Sequence, residues 1–261
     1  QMPIQKIKFK LGDSDLPPGP SQGGSGTTST VGSAVDLACK TLQQKLKEIA
    51  IKSAPVFSGM NAEGLEVKNE MVISKTDANV KMDIVGLLKL ANQDKIDLTI
   101  TSNGKTAAQL KFTSNSFSAH FVKLGVNPKD GTVKILQVVT TGDAGKIISP
   151  KTARSQMLGG VVGGIGMALS EKLEIDHKTG QIINASFGGY HVPLHSHIPP
   201  TDVWFVNKPD PNINDIGAKG IGEIALIGFA AAVTNAVYNA TGKRVRDLPI
   251  TPEKLGFKTK A

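Results

Sequence analysis

The sequence predicts an α+β fold, in which mixed sheets are packed with helices. Segments with helical spacing of apolar residues are intermixed with segments of strand character, and several strands are joined by turns typical of hairpins. The chain has 261 residues, of which 39% are hydrophobic and 20% charged, so it can bury a substantial core. A doubly wound parallel sheet is disfavoured, because it would not contain this many hairpins.

The N-terminal segment has strand character that ends abruptly. Ile7, Phe9 and Leu11 alternate with lysine, which predicts a strand. Residues 12–30, GDSDLPPGPSQGGSGTTST, are too rich in Pro, Gly, Ser and Thr for regular structure. This tract is either a flexible linker or an anion-binding loop, because it opens onto a helix whose N-terminal N–H groups attract phosphate. The spacing alone leaves both interpretations open.

The first helix is predicted over residues 31–50. Its apolar residues recur at helical spacing, at Ala34, Val35, Ala38, Leu42, Leu46 and Ile49. Cys39 is the only cysteine of the chain, which excludes an internal disulfide and a CxxC pair. We expect its thiol to be buried in this helix.

The middle of the chain predicts short strands and one helix. LEVKNEMVI at 65–73 indicates a strand or hairpin, KMDIVGLLKLANQ at 81–93 a short helix, and IDLTITSNG at 96–104 a strand and turn. A longer hairpin is predicted over 117–145, where residues 127–131 supply the turn.

A glycine-rich helix is predicted next, with Ser149 as N-cap and Pro150 at its first position. Each of its glycines costs the helix up to about 1 kcal/mol relative to alanine, so we expect another backbone or a bulky ligand to approach closely. A hairpin at 174–184 and proline-broken strands at 190–206 follow.

Glu223 stands between glycines and a long apolar run, in KGIGEIALIGFAAAVTNAVYNATG at 219–242. The run predicts a helix that ends at Gly242, and a last short helix opens at Thr251. The Glu223 carboxylate either opens the helix, where acids are favoured by about 0.3 to 1 kcal/mol, or acts as a general base beside an apolar pocket.

The net charge of +8 fits a nucleic-acid partner, an anionic cofactor or a plain basic surface. Aromatic residues are only 5% of the chain, and zinc-finger, RNP and helix-turn-helix spacings are missing, so we expect no nucleic acid. The alternative to an enzyme is a basic module that binds nucleic acid or a phosphate ligand through the loop at 20–30.

Metal ligands and membrane spans are not predicted. His195 and His197 would share a face on a strand, but no third ligand for a metal is apparent nearby. No run approaches the eighteen or so apolar residues of a membrane span. We therefore expect no metal bound by protein side chains and no membrane span.

Several stretches resemble the molybdopterin-binding large subunit of the molybdenum hydroxylases, the xanthine dehydrogenase and aldehyde oxidase family. GAKGIGE and AAAVTNAVYNATGKRVRDLPITPEKL are similar to its C-terminal end, and three segments are similar in the same order: LPPGPSQGGSGTTSTVGSAV, SAHFVKLGVNPKDGTVKILQVVTTGDAGKIISPKTARSQMLGG and GGYHVPLHSHIPPTDVWFV. Residues 51–112 match least distinctively. The resemblance identifies 1–261 as the C-terminal molybdopterin-binding region and allows two α+β subdomains, split near 113–145.

The resemblance implies that molybdopterin is the cofactor, often extended in bacteria by a cytosine nucleotide. The implied contacts are Gly24, Ser25 and Thr27 with the phosphates, Gln156 on the glycine-rich helix, and the backbone of Gly222 beside the metal. Molybdenum itself would be held by the dithiolene sulfurs of the pterin, without a protein ligand.

The resemblance also implies that Glu223 is the catalytic base of a hydroxylation that takes its oxygen from water. The substrate would be a small aldehyde or N-heterocycle. Iron-sulfur clusters and FAD would belong to partner subunits or domains. In two departures, GEIAL replaces a common proline pair after the glutamate, and QMLGG lacks a common acidic residue.

Nothing in the chain resembles the upstream half of the family's large subunit. Because the chain begins at Gln1 within a predicted strand, we expect a fragment or a split subunit. Such a chain would need the remainder of the molybdenum subunit, and we expect it to be inactive alone.

Overall fold

The computed structural model describes residues 2–102 and 109–258. The chain divides into two compact units, one of Gln1–Ser21 with Thr30–Gly104 and the other of Gln22–Ser29 with Lys105–Ala261. The expected division of the family region into subdomains near 113–145 stays a prediction.

Helices and strands are intermixed along the chain. The helices are α1 (Thr27–Ser53), α2 (Ile84–Leu90), α3 (Pro150–Leu169), α4 (Ile224–Ile227) and α5 (Phe229–Thr241). The strands are β1 (Leu65–Lys68), β2 (Met71–Ser74), β3 (Lys81–Asp83), β4 (Phe117–Val126), β5 (Val133–Asp143) and β6 (Thr201–Phe205). Short 3-10 turns lie at Ile4–Lys6, Gly23–Ser25, Pro55–Phe57, Ala62–Gly64, Gln109–Lys111, His195–His197 and Glu253–Leu255.

The first unit packs helices against a small antiparallel sheet of order β1-β2-β3. Its buried core consists of Leu46, Ala50, Ala54, Phe57, Leu65, Val72 and Leu87. The predicted hairpin at 65–73 is confirmed. The helix predicted over 81–93 begins only at Ile84, because the Asp83 side chain accepts a hydrogen bond of 2.8 Å from the Gly86 N–H and caps it.

The second unit contains a mixed sheet of order β4-β5-β6, with β4 antiparallel and β6 parallel to β5. The predicted hairpin is confirmed, and its turn is closed by the Gly131 N–H donating to the Asn127 carbonyl at 2.8 Å. Residues from the sheet, α3, α5 and the segment after α5 form the core: Ile135, Val138, Val161, Ile165, Ala168, Phe229, Ala230, Val233, Val237, Val245, Ile250 and Leu255. The mixed sheet with packed helices confirms the α+β prediction.

The glycines of α3 allow close packing against the chain that follows Glu223. A Cβ on Gly160 would lie 2.7 Å from the Ala225 Cβ, and one on Gly164 would lie 2.6 Å from the Phe229 Cβ. Both distances are too short for real side chains. The expected close approach is therefore confirmed, and at these two positions the neighbour is protein.

Several predicted strands are not formed. Ile7, Phe9 and Leu11 are exposed and non-helical without strand pairing, and residues 96–102 are likewise irregular, while 103–104 lie outside the described residues. The hairpin at 174–184 is reduced to one bridge between Ile175 and Ile182. Alternation of apolar residues favours a strand only where a neighbouring strand supplies hydrogen bonds.

Prolines limit strand formation in residues 190–206. Only β6 forms, because prolines lack the N–H that a sheet ladder requires. His195 and His197 accordingly lie in one 3-10 turn rather than on a strand.

Cys39 is exposed, so the expected burial of its thiol is wrong. In α1 only Leu46 and Ala50 are buried, and both lie in the C-terminal half of the helix. The apolar spacing around Cys39 forms a helix as predicted, but the N-terminal half of this helix contributes no buried residue to the core, and the thiol is therefore exposed.

Ile224–Thr241 has the length and composition of a membrane-crossing helix, with a mean hydropathy of 1.4. The core helix of a soluble protein passes the same test, and Phe229, Val233 and Val237 of α5 are buried in the core of the second unit. The signal is weak, and the absence of a membrane span stays a prediction.

We expect Gly164→Ala and Gly159→Ala to change stability in opposite directions. The new methyl group at 164 would overlap Phe229 and destabilise the fold by about 1 to 3 kcal/mol, the usual cost of overpacking. A Cβ at exposed Gly159 meets no atom within 4 Å, so alanine should stabilise the helix by about 0.5 to 1 kcal/mol. Urea unfolding followed by circular dichroism measures both, and equal midpoints for the two variants would contradict the packing described.

Candidate functional site

Glu223 immediately precedes α4 and is exposed. Its backbone carbonyl accepts a hydrogen bond of 3.0 Å from the Leu226 N–H, but its side chain makes no capping hydrogen bond. Capping of α4 therefore does not explain why a carboxylate stands at this position. Its setting among the neighbouring glycines is the more informative feature.

The loop before α1 packs directly against the glycines that precede Glu223. A Cβ on Gly220 would lie 2.5 Å from the Gly24 carbonyl oxygen. A Cβ on Gly222 would lie 2.5 Å from the Ser25 Oγ and 3.3 Å from the Gln156 Oε1. Gly24, Ser25, Gln156 and Gly222, which were predicted as cofactor contacts from three distant segments, thus lie together.

Gly24 and Ser25, which lie just before the start of α1, have an unusual backbone conformation. Both residues have left-handed φ angles, 66° and 59° respectively. This conformation is easy for glycine and uncommon for serine. It places the Ser25 side chain beside Gly222, so the tract at 12–30 is more than a spacer at this end.

A cavity of about 370 Å³ lies where these segments meet. Its wall carries hydroxyl, amide and ammonium groups from Ser25, Thr27, Thr28, Thr152, Gln156 and Lys146. Thr27 Oγ1 is hydrogen-bonded to Gln22 Oε1, which orders the start of the helix. Groups of this kind bind phosphate oxygens, because they donate hydrogen bonds and carry positive charge.

Lys146 and Thr152 were missed by the sequence analysis. Lys146 follows β5, and Thr152 lies in the first turn of α3. The predicted N-terminus of α3 was the available signal, because helix N-termini attract anions. The sequence did not show that this terminus faces the same cavity as Ser25.

Lys219 directly precedes Gly220 and is buried, with 8% of its surface exposed. Its Nζ donates to the Asn115 carbonyl at 2.8 Å and lies 3.2 Å from Asp143 Oδ1 and 4.0 Å from Asp210 Oδ2. A buried charge is tolerated only when it is paired in this way. Lys219 therefore anchors the segment that leads to Gly222 and Glu223.

The two histidines do not assemble a metal site. His197 Nδ1 accepts a hydrogen bond of 3.2 Å from the Leu194 N–H. Within residues 2–102 and 109–258, no group of three His, Cys, Asp or Glu side chains is arranged to hold a metal ion.

Residues 1–199 match the molybdopterin cofactor-binding domain family. The aldehyde oxidoreductase molybdenum-binding subunit PaoC of Escherichia coli strain K12 is 34% identical over 254 residues, which cover 97% of this chain and 33% of that protein. The nicotine 6-hydroxylase large subunit of Paenarthrobacter nicotinovorans is 31% identical over 247 residues, 91% of this chain and 30% of that protein. The chain thus spans about a third of the length of these curated relatives.

Quinoline 2-oxidoreductase from Pseudomonas putida 86 has a similar structure, with a TM-score of 0.69, 18% sequence identity, and coverage of 88% of this chain and 29% of that one. At this identity the similarity concerns the fold, and it agrees with the family match. The resemblance stated from the sequence motifs is confirmed. The chain belongs to the molybdopterin cofactor-binding domain family, of the type found in the molybdenum-binding subunits of aldehyde oxidoreductases and xanthine dehydrogenases.

Proposed function

We propose that this chain supplies the catalytic base and part of the molybdopterin site of a molybdenum hydroxylase. The observation that carries the proposal is the contact of Ser25 and Gln156 with Gly222, the residue directly before Glu223. Through this contact, a polar cavity suited to phosphate and the exposed Glu223 carboxylate are brought to adjacent residues, Gly222 and Glu223. Family membership favours this function over a basic module that binds nucleic acid.

The residues around the cavity fit the proposed cofactor. Ser25 offers a hydroxyl group and Lys146 a positive charge to the phosphate end. The Thr27 hydroxyl donates to Gln22 Oε1 in this structure and would turn from it to the phosphate. Gln156 and Gly222 also line the cavity, and Gly222 directly precedes Glu223 in the chain. A cytosine nucleotide on the phosphate would be the bacterial form of the same ligand.

Molybdopterin, when bound, supplies the molybdenum centre at which the substrate is hydroxylated and two electrons are accepted. The part of this chain is to manage the proton. The Glu223 carboxylate accepts the proton that is released when the oxygen derived from water is transferred to the substrate carbon. The carboxylate is exposed and is not used to cap α4.

Aldehydes or N-heterocycles are the substrate classes that we propose. The relatives include an aldehyde oxidoreductase subunit and a nicotine 6-hydroxylase subunit, which act on these two classes. The wall that would select between them is not formed by the cavity residues alone. We propose that the remainder of the molybdenum subunit completes it, and that this chain is inactive without that part.

The electrons must leave through other subunits or domains. Iron-sulfur clusters are held by sets of cysteine thiolates, and this chain contains a single cysteine. We therefore place the clusters, and the FAD that would accept electrons from them, on partner subunits or domains.

We expect Glu223→Gln to abolish the chemical step in the holoenzyme that contains this chain. The amide keeps the shape of the side chain but cannot accept the proton, and a positioned general base contributes about 10² to 10⁴ in rate. Single-turnover reduction of the enzyme by an aldehyde or N-heterocycle measures this step, with molybdenum determined by elemental analysis. Glu174→Gln is the matched control, because Glu174 is an exposed carboxylate of the same unit. More than about a tenth of the wild-type rate in Glu223→Gln would rule out its role as the base.

We expect Ser25→Ala combined with Thr27→Ala to deplete the holoenzyme of both molybdenum and pterin. A charge-assisted hydrogen bond to phosphate is worth about 1.5 to 3 kcal/mol, so two losses weaken retention strongly. The measurements are elemental analysis, pterin fluorescence after release, and circular dichroism for the fold. Ser186→Ala with Thr179→Ala removes two exposed hydroxyls of the same unit and should retain the cofactor. Full molybdenum occupancy in the Ser25 and Thr27 double variant would mean that the loop does not hold the phosphate.

A further inference from the structure

Polar side chains that the proposed function does not use lie at the start of β4 and directly before it. Ser116, Ser118 and His120 alternate along the chain, and alternate residues of a strand point to the same side. The residues between them, Phe117 and Ala119, are exposed on the other side. The polar side faces the segment that contains Glu223.

Two serine hydroxyls bind the backbone on both sides of Glu223. The Ser116 Oγ donates to the Gly220 carbonyl at 2.6 Å, and the Ser118 Oγ donates to the Ile224 carbonyl at 2.5 Å. Gly220 lies three residues before the glutamate, and Ile224 directly follows it. The backbone that carries Glu223 is therefore held to β4 at two points.

His120 orients the Ser118 hydroxyl so that it donates to the Ile224 carbonyl. Its Nε2 lies 3.1 Å from the Ser118 Oγ, and its Nδ1 lies 2.8 Å from the Oγ1 of fully buried Thr140. Because the Ser118 proton is used toward Ile224, its oxygen accepts from the His120 Nε2–H, and Nδ1 then accepts from the Thr140 hydroxyl. Donation thus runs in one direction from Thr140 to the Ile224 carbonyl.

This arrangement requires a neutral imidazole, and the surroundings of His120 favour one. Burial lowers the pKa of His120 below its usual value of 6.5, although the nearby Ile224 backbone opposes the shift. The ring is also confined by packing. A Cβ on Gly228 would lie 3.1 Å from the His120 Cδ2, and the Phe229 ring meets the imidazole edge at a centroid distance of 5.8 Å.

We propose that Ser116 and Ser118 are positioning residues for Glu223, and that His120 and Thr140 hold the Ser118 hydroxyl in the required orientation. The proposal rests on the proposed function of Glu223 as the base. The α4 helix has only four residues, and the Glu223 side chain makes no capping bond, so the carboxylate depends on its backbone for its position. Small displacements of a reacting group are costly, since an error of about 1 Å can reduce a rate about 100-fold.

The test compares Ser116→Ala and Ser118→Ala in the holoenzyme that contains this chain. We expect kcat to fall about three- to tenfold in each, the rate equivalent of one neutral hydrogen bond, and further in the double variant. KM and molybdenum content should stay within about twofold of wild type, because substrate and cofactor contacts are kept. Ser118→Thr, which keeps the hydroxyl, should retain nearly the wild-type kcat.

Thr241→Val is the matched control. It removes a hydroxyl that donates to a backbone carbonyl, that of Val237 at 2.8 Å, at the far end of α5. It should lower the melting temperature as much as the serine variants while leaving kcat unchanged. This comparison separates positioning of Glu223 from a general loss of stability.

Wild-type kcat in both alanine variants would overturn the proposal, as would a Ser118→Thr enzyme as slow as Ser118→Ala. Molybdenum loss in proportion to the lost rate would overturn it too, because the serines would then act on cofactor binding. If the proposed function itself were wrong, the Glu223→Gln enzyme would stay active, which distinguishes that outcome from failure of the positioning proposal. A dead Glu223→Gln enzyme beside fully active serine variants would reject the positioning role alone.

Discussion

Gly222 must lack a side chain, because the Ser25 hydroxyl lies 2.5 Å from the place where its Cβ would stand. This contact brings the loop before α1 onto the segment that ends in Glu223, and Gln156 of α3 approaches the same glycine. Three segments that are far apart in the sequence therefore come together at Gly222. Gly222 lines the cavity and directly precedes Glu223, so this contact lies between the cavity and the glutamate along the chain.

Two features of the second unit support that contact: the ion pairs of buried Lys219 and the close packing on the glycines of α3. Lys219 is paired with Asp143 and Asp210, so its charge can be buried directly before Gly220 in the chain. Gly160 and Gly164 of α3 have no side chains, so the chain after Glu223 packs against them at distances that a Cβ would prevent. The stability of the second unit and the geometry of the site consequently rest on the same packing.

The sequence predicted the local features of the site well. Glycines around Glu223, the polar tract before α1 and the hairpin over 117–145 have local signals, and the resemblance to a family assigned roles to Ser25 and Gln156. Contacts between distant segments were not predictable, because spacing does not report that Lys146 and Thr152 meet Ser25 or that Ser118 binds Ile224. Strand predictions at 7–11 and 96–102 were wrong, since an alternating pattern does not supply the neighbouring strand that its hydrogen bonds require.

The most direct measurement is the structure of the holoenzyme with its cofactor bound. We expect molybdopterin to lie in the cavity between the loop before α1 and the N-terminal part of α3. Its phosphate should lie within hydrogen-bonding distance of Ser25 and Thr27, and its metal end should lie beside Gln156, Gly222 and the Glu223 carboxylate. A cofactor located away from this cavity, or one whose metal end faces away from Glu223, would contradict the account.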